Sequence, residues 1–431
     1  MLRLPTYVHY EITDKCNLKC LHCFHFDVDN MPKSINLDKK KTIETVKLLI
    51  DNGIYSLTIT GGEPFTRPKV TLDAVRVAKK AGLFVTINTN LLCITSEIIN
   101  ELKKHQVNNL LVSCPAGNEE IYRKITRTGN YNIFKEKLKM LVNSNIPFLV
   151  NMVVSQINYN YMEQTIIEMA ELGVKRFAMT PASLNIDCPD YNQLLTIQQI
   201  HKLFEKLRWC QQHLNMEVDS VEALPKCFYP SWCFEDQYNF TRRVCIAGRK
   251  SVSISNVGEV RPCAHNPESY GNIFNEPLES IWDKMNVYRM NIIPEMCDSC
   301  PTLSDCKGAC RIYSIAKYHV LNMPDRLAKG PVTIPVKKKA IINIDDNTVI
   351  DFAGELRYRK EKENYYSVVS KDNCSNLMIV NKSMFEFIKW LFESLPLSIM
   401  LIKAHANKNS SNESILTVLR SLIQNRFIEK R

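Results

Sequence analysis

Hydrophobic and polar positions repeat with two periods along the first 215 or so residues. Short β-branched runs at Thr6–Thr13, Tyr55–Thr60, Phe84–Asn88, Leu110–Ser113, Phe148–Val154 and Phe177–Met179 predict six strands. Segments near 38–52, 68–81, 95–105, 131–144, 161–172 and 196–214 carry helical spacing. Strand–helix alternation predicts an α/β fold of parallel strands joined by right-handed crossovers. The spacing suits an open, partial (β/α)6 barrel as well as a doubly wound sheet. From about 223 to 325 the helical period fades while Cys, Pro and Gly become dense. Such a stretch is expected of a small domain held by metal rather than by an apolar core. The basic, proline-containing Lys329–Lys339 reads as a linker. Strand-like runs at Ala340–Phe352, Tyr365–Ser370 and Leu377–Val380 then precede three amphipathic helices near 382–394, 397–406 and 412–424. With Arg426-Phe-Ile-Glu429 as a wing, this predicts a winged-helix-like module. The expected division is 1–222, 223–325, a linker at 326–339, and 340–431.

Composition narrows the class. A chain of 431 residues is long for one core. With 45% hydrophobic and 23% charged residues, wholesale disorder is excluded. No apolar run approaches the roughly 18–20 residues of a membrane span, and Met1-Leu-Arg-Leu-Pro-Thr6 lacks the apolar core of a signal peptide. The expectation is a cytoplasmic protein without a membrane partner. Sixteen cysteines then stand out, because in that compartment clustered thiols more often hold metal than form disulfides.

Three of them fall within eight residues, just past the first predicted strand: Cys16-Asn-Leu-Lys-Cys20-Leu-His-Cys23. Three is the informative count. A structural zinc site is closed by four ligands, whereas three thiolates on a cubane iron–sulfur cluster leave one iron open. A zinc site completed by His22 or His25 is the alternative on spacing alone. The second strand ends Thr60-Gly61-Gly62-Glu63-Pro64. Two glycines let the backbone approach a ligand closely, and strand-end carbonyls with Glu63 can accept from an ammonium; a plain turn reads equally well.

The spacing Cys16-x3-Cys20-x2-Cys23 resembles the signature of the radical S-adenosylmethionine (SAM) superfamily, and Gly61-Gly62-Glu63-Pro64 is similar to its glycine motif. That resemblance implies a [4Fe–4S] cluster on the three cysteines, with SAM chelated at the open iron. Reduction would cleave SAM to a 5′-deoxyadenosyl radical that abstracts hydrogen from substrate. It further implies SAM contacts from Gly61, Gly62, Glu63 and Pro64, from Asn88 on strand three, Ser113 on strand four, Arg127, and Asn151 on strand five. Relatives often continue Ser-x-Asp-Gly after strand four; here the sequence is Ser113-Cys114-Pro115-Ala116, so no aspartate acts at that point.

Eight further cysteines, Cys227, Cys233, Cys245, Cys263, Cys297, Cys300, Cys306 and Cys310, occupy 84 residues. As a bare pattern they suit a zinc ribbon. Cys245-x12-Gly258-x4-Cys263 followed by Cys297-x2-Cys300-x5-Cys306-x3-Cys310 resembles the SPASM extension of radical SAM enzymes, which implies one or two auxiliary [4Fe–4S] clusters. That pattern ends in a further cysteine, yet none occurs between Arg311 and Asn373. Eight thiols still suffice for two clusters if Cys227 and Cys233 supply the missing ligands. Cys93, Cys114, Cys188, Cys210 and Cys374 fall outside both fields, and Cys93 or Cys114 could donate hydrogen to a substrate radical.

Residues 332–431 hold 16 Lys/Arg against 11 Asp/Glu, spread apart except at Lys337–Lys339. That is too diffuse to argue for nucleic acid. The order of strands, Asn381–Phe392, two more helices and Phe427-Ile428 resembles the leader-peptide recognition domain of ribosomal-peptide maturases. The whole therefore resembles peptide-modifying radical SAM enzymes. This implies a peptide substrate, a thioether or carbon–carbon crosslink or an epimerisation as outcome, and a flavodoxin- or ferredoxin-type reductant. Two alternatives stay open: a sulfatase-maturating (formylglycine-generating) enzyme, and a non-catalytic metal-binding regulator with a winged-helix reader.

Overall fold

A computed structural model describes residues 2–23, 37–187, 189–290, 292–334, 342–370, 373–406 and 412–431. The first half alternates as its periodicity dictates: β1 (Tyr7–Thr13), α1 (Lys39–Asp51), β2 (Ser56–Gly61), α2 (Pro68–Lys80), β3 (Phe84–Thr89), α3 (Ser96–Lys104) and β4 (Asn109–Ser113). Two helices follow, α4 (Glu119–Thr126) and α5 (Tyr131–Val142), then β5 (Phe148–Val154), α6 (Met162–Glu171), β6 (Arg176–Pro181), α7 (Ile197–His213) and β7 (Glu217–Asp219). Side-chain caps mark most helix starts: Asp38, Thr95, Asn118, Asn130 and Thr196 each accept from a first-turn backbone N–H.

β1 to β7 lie side by side in chain order, all parallel. One sheet face is apolar: Val8, Tyr10, Leu57, Ile59, Val85, Ile87, Val112 and Met152 belong to the main core. The registers His9↔Thr58, Glu11↔Thr60 and Thr58↔Thr86 put polar side chains on the other face, and Ser113↔Asn151 continues it. This alternation differs from a parallel strand buried on both sides, which reads as a continuous apolar run.

The cysteine-rich region is not a separate appendage to that sheet. Its β8 (Ser251–Ile254) pairs in parallel with β1, and β9 (Val260–Arg261) pairs antiparallel with β8, extending the sheet to nine strands. Glu11 of β1 accepts from Ser253 and is ion-paired with Arg261, fastening the two regions in the interior. The rest is short helices, α8 (Leu278–Lys284), α9 (Asn286–Arg289), α10 (Leu303–Cys306) and α11 (Ile312–Tyr318).

The C-terminal residues have their own apolar core. β10 (Val349–Phe352), β11 (Leu356–Lys360), β12 (Tyr365–Ser370) and β13 (Asn373–Asn381) precede α12 (Lys382–Ser394), β14 (Leu397–Ser398), α13 (Ile399–Ala406), α14 (Asn412–Gln424) and β15 (Ile428–Lys430). They form two three-stranded sheets, β14-β10-β15 and β11-β12-β13. The second docks on the amino ends of the parallel strands. Arg359 donates to the carbonyls of Leu4 and Pro5 and Arg357 to that of Gly82, while Tyr55 bonds Ser367. Residues 335–341 of the expected linker and strand lie outside the described residues. Among the described residues no helix is long and apolar enough to cross a membrane.

Candidate functional site

The loop carrying Cys16, Cys20 and Cys23 leaves the carboxyl end of β1 and is pinned on two sides. Lys19 and Leu21 donate backbone N–H groups to Thr126 and Ile125 at the end of α4 (3.1 and 2.9 Å), and Thr128 bonds Asn17. On the other side Gly62 donates to Thr13 and Glu63 to Lys15, at 2.7 and 2.9 Å. Gly61 has φ +128°, and a Cβ there would run into the Thr13 carbonyl; one at Gly62 would meet that of Lys15. The glycines thus let the β2 end lie against the cysteine loop itself.

Glu63 is fully buried and turned inward. Its carboxylate accepts from Phe65 N, Thr89 Oγ1 and Asn90 N at 3.1, 2.9 and 2.7 Å, which braces the end of β3. Burial pushes it up to about 7. What Glu63 offers a ligand is a fixed strand end, not a free carboxylate. Pro64 opens the short turn that follows and is buried.

The three thiols feel one another. Burial pushes Cys16 up to about 12, with Glu63, Cys23 and Cys93 adding to it. Cys20 is raised by burial and then by Cys23 and Cys16. Bound metal would reverse that preference, because a coordinating thiol is deprotonated outright. Among the described residues no three His, Cys, Asp or Glu side chains converge on a single metal ion; His25 lies outside them. A polynuclear cluster takes one thiolate on each of three irons, so three cysteines in one loop are a donor set that fits it.

Of the remaining expected contacts, Asn88 sits half-buried near the end of β3, Ser113 ends β4 exposed, and Asn151 opposite it accepts from Thr180 at 2.7 Å. Arg127 caps α4 beside the cysteine loop, with a left-handed φ of 61°. The residue that sequence reading passed over is Asn90. Its Nδ2 donates to Asn17 Oδ1 at 2.8 Å and lies 3.8 Å from Cys16 Sγ. The polar strand end Asn88-Thr89-Asn90 is the available signal, but the resemblance points to Asn88, and alternation cannot separate two residues on one strand face.

The second cysteine field divides. Cys227, Cys297, Cys300 and Cys306 line one cavity. Backbone N–H groups of Lys329 and Lys226 point at the sulfurs of Cys227 and Cys306, at 3.2 and 3.4 Å. Cys245, Cys263 and Cys310 form a second group: burial raises Cys263 and Cys310, and each is raised further by other thiols of the group. Cys233 joins neither; it is fully buried, with Arg208 and Glu235 as its charged neighbours. Cys114 is buried against the Ala116 carbonyl, whereas Cys93 lies close enough to Cys16 to perturb it. Cys210 is buried against Met216, and Cys188 lies outside the described residues.

A parallel α/β sheet with thiol loops at its carboxyl end and further grouped thiols beyond it marks an iron–sulfur protein. Residues 10–169 match the Radical SAM superfamily and residues 245–307 match SPASM, an iron-sulfur cluster-binding domain. The chain thus carries a radical SAM domain and a SPASM domain, which make it an enzyme and imply [4Fe–4S] clusters and SAM as cofactors. It is 27% identical to an AdoMet-dependent heme synthase of Methanosarcina barkeri, over 73% of this chain and 94% of that protein. It is 28% identical to the antilisterial bacteriocin subtilosin biosynthesis protein AlbA of Bacillus subtilis, over 74% of this chain and 70% of that one. Streptococcus suis SuiB, solved bound to its precursor peptide SuiA, shares the fold with a TM-score of 0.62 at 18% identity, over 76% of this chain and 77% of that one.

Proposed function

We propose that this enzyme modifies a peptide, using SAM cleaved at a cluster held by Cys16, Cys20 and Cys23. The observation that carries the SAM chemistry is the loop of three interacting thiols clamped between Gly62–Glu63 and the end of α4. When bound, the cluster supplies the electron that cleaves SAM to a 5′-deoxyadenosyl radical. The chain's own residues do the positioning. The β2 end at Gly61–Pro64 presents backbone beside the loop, Asn90 fixes its first turn, and Arg127 stands at its flank for a carboxylate. Asn88, Ser113 and Asn151 offer polar groups from the carboxyl half of the polar sheet face.

Peptide as substrate is supported by relatives such as AlbA and by the SuiB–SuiA complex, and by the C-terminal module. In the sheet β11-β12-β13, β13 is an edge strand and α12 follows it. We read this as a winged-helix-like leader-recognition module in which the leader adds as a further strand. Cys227, Cys297, Cys300 and Cys306 would hold one auxiliary cluster and Cys245, Cys263 and Cys310 another. A flavodoxin- or ferredoxin-type protein would deliver electrons in the cytoplasm.

The test takes each short reading frame found beside the gene as a candidate precursor peptide and incubates it with reduced, reconstituted enzyme and SAM. A crosslink removes two hydrogens from the peptide; an epimerisation leaves its mass unchanged but incorporates solvent deuterium. Either change, with 5′-deoxyadenosine, is expected. Turnover only of a sulfatase-derived peptide to formylglycine would favour the maturation alternative, and heme formation would favour a function like that of the Methanosarcina relative.

A further inference from the structure

One side-chain amide is aimed at a sulfur of the thiol loop, and its other end is already committed. Asn90 directly follows β3 and is buried. Its backbone N–H donates to Glu63 at 2.7 Å, and its Oδ1 accepts from Leu92 N at 3.1 Å. That second bond closes over Leu91, which is fully buried and holds a left-handed φ of 72°. A leucine keeps such a backbone only where its surroundings fix it. With the amide oxygen occupied by Leu92, the NH2 group faces the cysteine loop. There it donates to Asn17 Oδ1 at 2.8 Å and lies 3.8 Å from Cys16 Sγ, within N–H···S reach. The same sulfur accepts from Leu18 N at 3.4 Å.

Bracing the loop accounts for only half of this group. An asparagine carries two amide hydrogens; Asn17 takes one, and the other is left for Cys16. Hydrogen bonds to the sulfurs are among the factors that set an iron–sulfur potential. A donor dipole stabilises negative charge on sulfur, and that charge grows when an electron is added, so the reduced form gains more and the potential rises. We propose that Asn90 is a positioning residue that acts through Cys16 to raise the reduction potential of the cluster on Cys16, Cys20 and Cys23. Loading one electron from a flavodoxin- or ferredoxin-type donor becomes easier, at the expense of driving force for breaking the SAM carbon–sulfur bond. The end of β3 thereby sets the balance between the two.

The proposal rests on the reading that these three cysteines hold the SAM-binding cluster, and the test separates the two. Full-length, anaerobically reconstituted protein is poised at a series of potentials and read by electron paramagnetic resonance, with and without SAM. The signal that changes on adding SAM reports the cluster in question. No such signal, or one that persists when Cys16, Cys20 and Cys23 are all replaced by Ala, overturns the underlying reading and the proposal with it. Where the signal is present, Asn90→Ala should cut the reduced fraction at a fixed potential about threefold to tenfold; tenfold is 59 mV for a one-electron couple. Asn90→Asp keeps an acceptor for Leu92 but replaces the donor by a carboxylate oxygen, and should shift at least as far in the same direction. Asn17→Ala is the control for bracing. It removes the 2.8 Å bond and leaves the amide to Cys16, so its potential should match the wild type or lie above it. An unchanged potential in Asn90→Ala, or an equal fall in Asn17→Ala, would overturn the proposal. Failure of both Asn90 variants to hold the SAM-responsive cluster would make Asn90 a brace alone and overturn it as well.

Discussion

At the residue scale, the chemistry is carried by side chains whose partners come from distant parts of the chain. The three cysteines and the glycine pair are legible in the sequence because their spacing is local and tight. The inward turn of Glu63 is not legible, since it depends on Thr89 and Asn90 arriving from β3. For the same reason Asn90, which braces the cysteine loop, could not be told from Asn88. Gly61→Ala tests the glycine reading. A side chain at φ +128° against the Thr13 carbonyl is expected to cost about 3 kcal/mol or more and to loosen the loop. The check is the denaturation midpoint together with iron content. His9, on the polar face of β1, gives a pH prediction. Burial lowers it to about 4, so the unfolded chain binds a proton through the window from about 6.5 down to 4 while the native state does not. Its contribution is present above that window and is lost as pH falls through it, to a limit of about 3 kcal/mol. His9→Gln should flatten that part of the stability–pH curve relative to wild type; parallel curves would contradict the burial argument.

At the element scale, alternation locates β1 to β6 of the parallel sheet because each presents an apolar face to helices. The short elements escape it. β7 has three residues and β8 four, too few for a period, and β8 is fixed by parallel pairing to β1 more than 240 positions away. α4 is a single amphipathic stretch of eight residues, recognisable mainly by its Asn118 cap, yet its carboxyl end holds the cysteine loop. The docking of β11 to β13 is equally invisible to pattern, because arginines binding backbone carbonyls leave no hydrophobic signature. Arg359 is nearly fully buried and paired with Glu361. Arg359→Ala strands that carboxylate, so the variant should lose about 3–5 kcal/mol. Chemical denaturation should then show the C-terminal module separating as an earlier transition; an unchanged single transition would argue against this anchor.

At the scale of the whole molecule, the thiol loop and the C-terminal module lie at opposite ends of the parallel strands. A seven-residue strand spans about 20 Å, so under the proposed function a leader held on the module would have to run that far before its modified residue reached the thiols. Precursors whose spacer is cut below about six extended residues should lose turnover while still binding. A chain with an intact module but no SAM chemistry would satisfy none of this, and that chemistry is the central claim. Of the sixteen cysteines, three lie in the loop after β1, four line one cavity and three form the second group. The most direct measurement is release of 5′-deoxyadenosine from SAM by anaerobically reconstituted, reduced protein, wild type beside Cys16→Ala. Release by the wild type and its loss in the variant are predicted; no release from the wild type at full iron loading, with or without candidate peptides, would contradict the account.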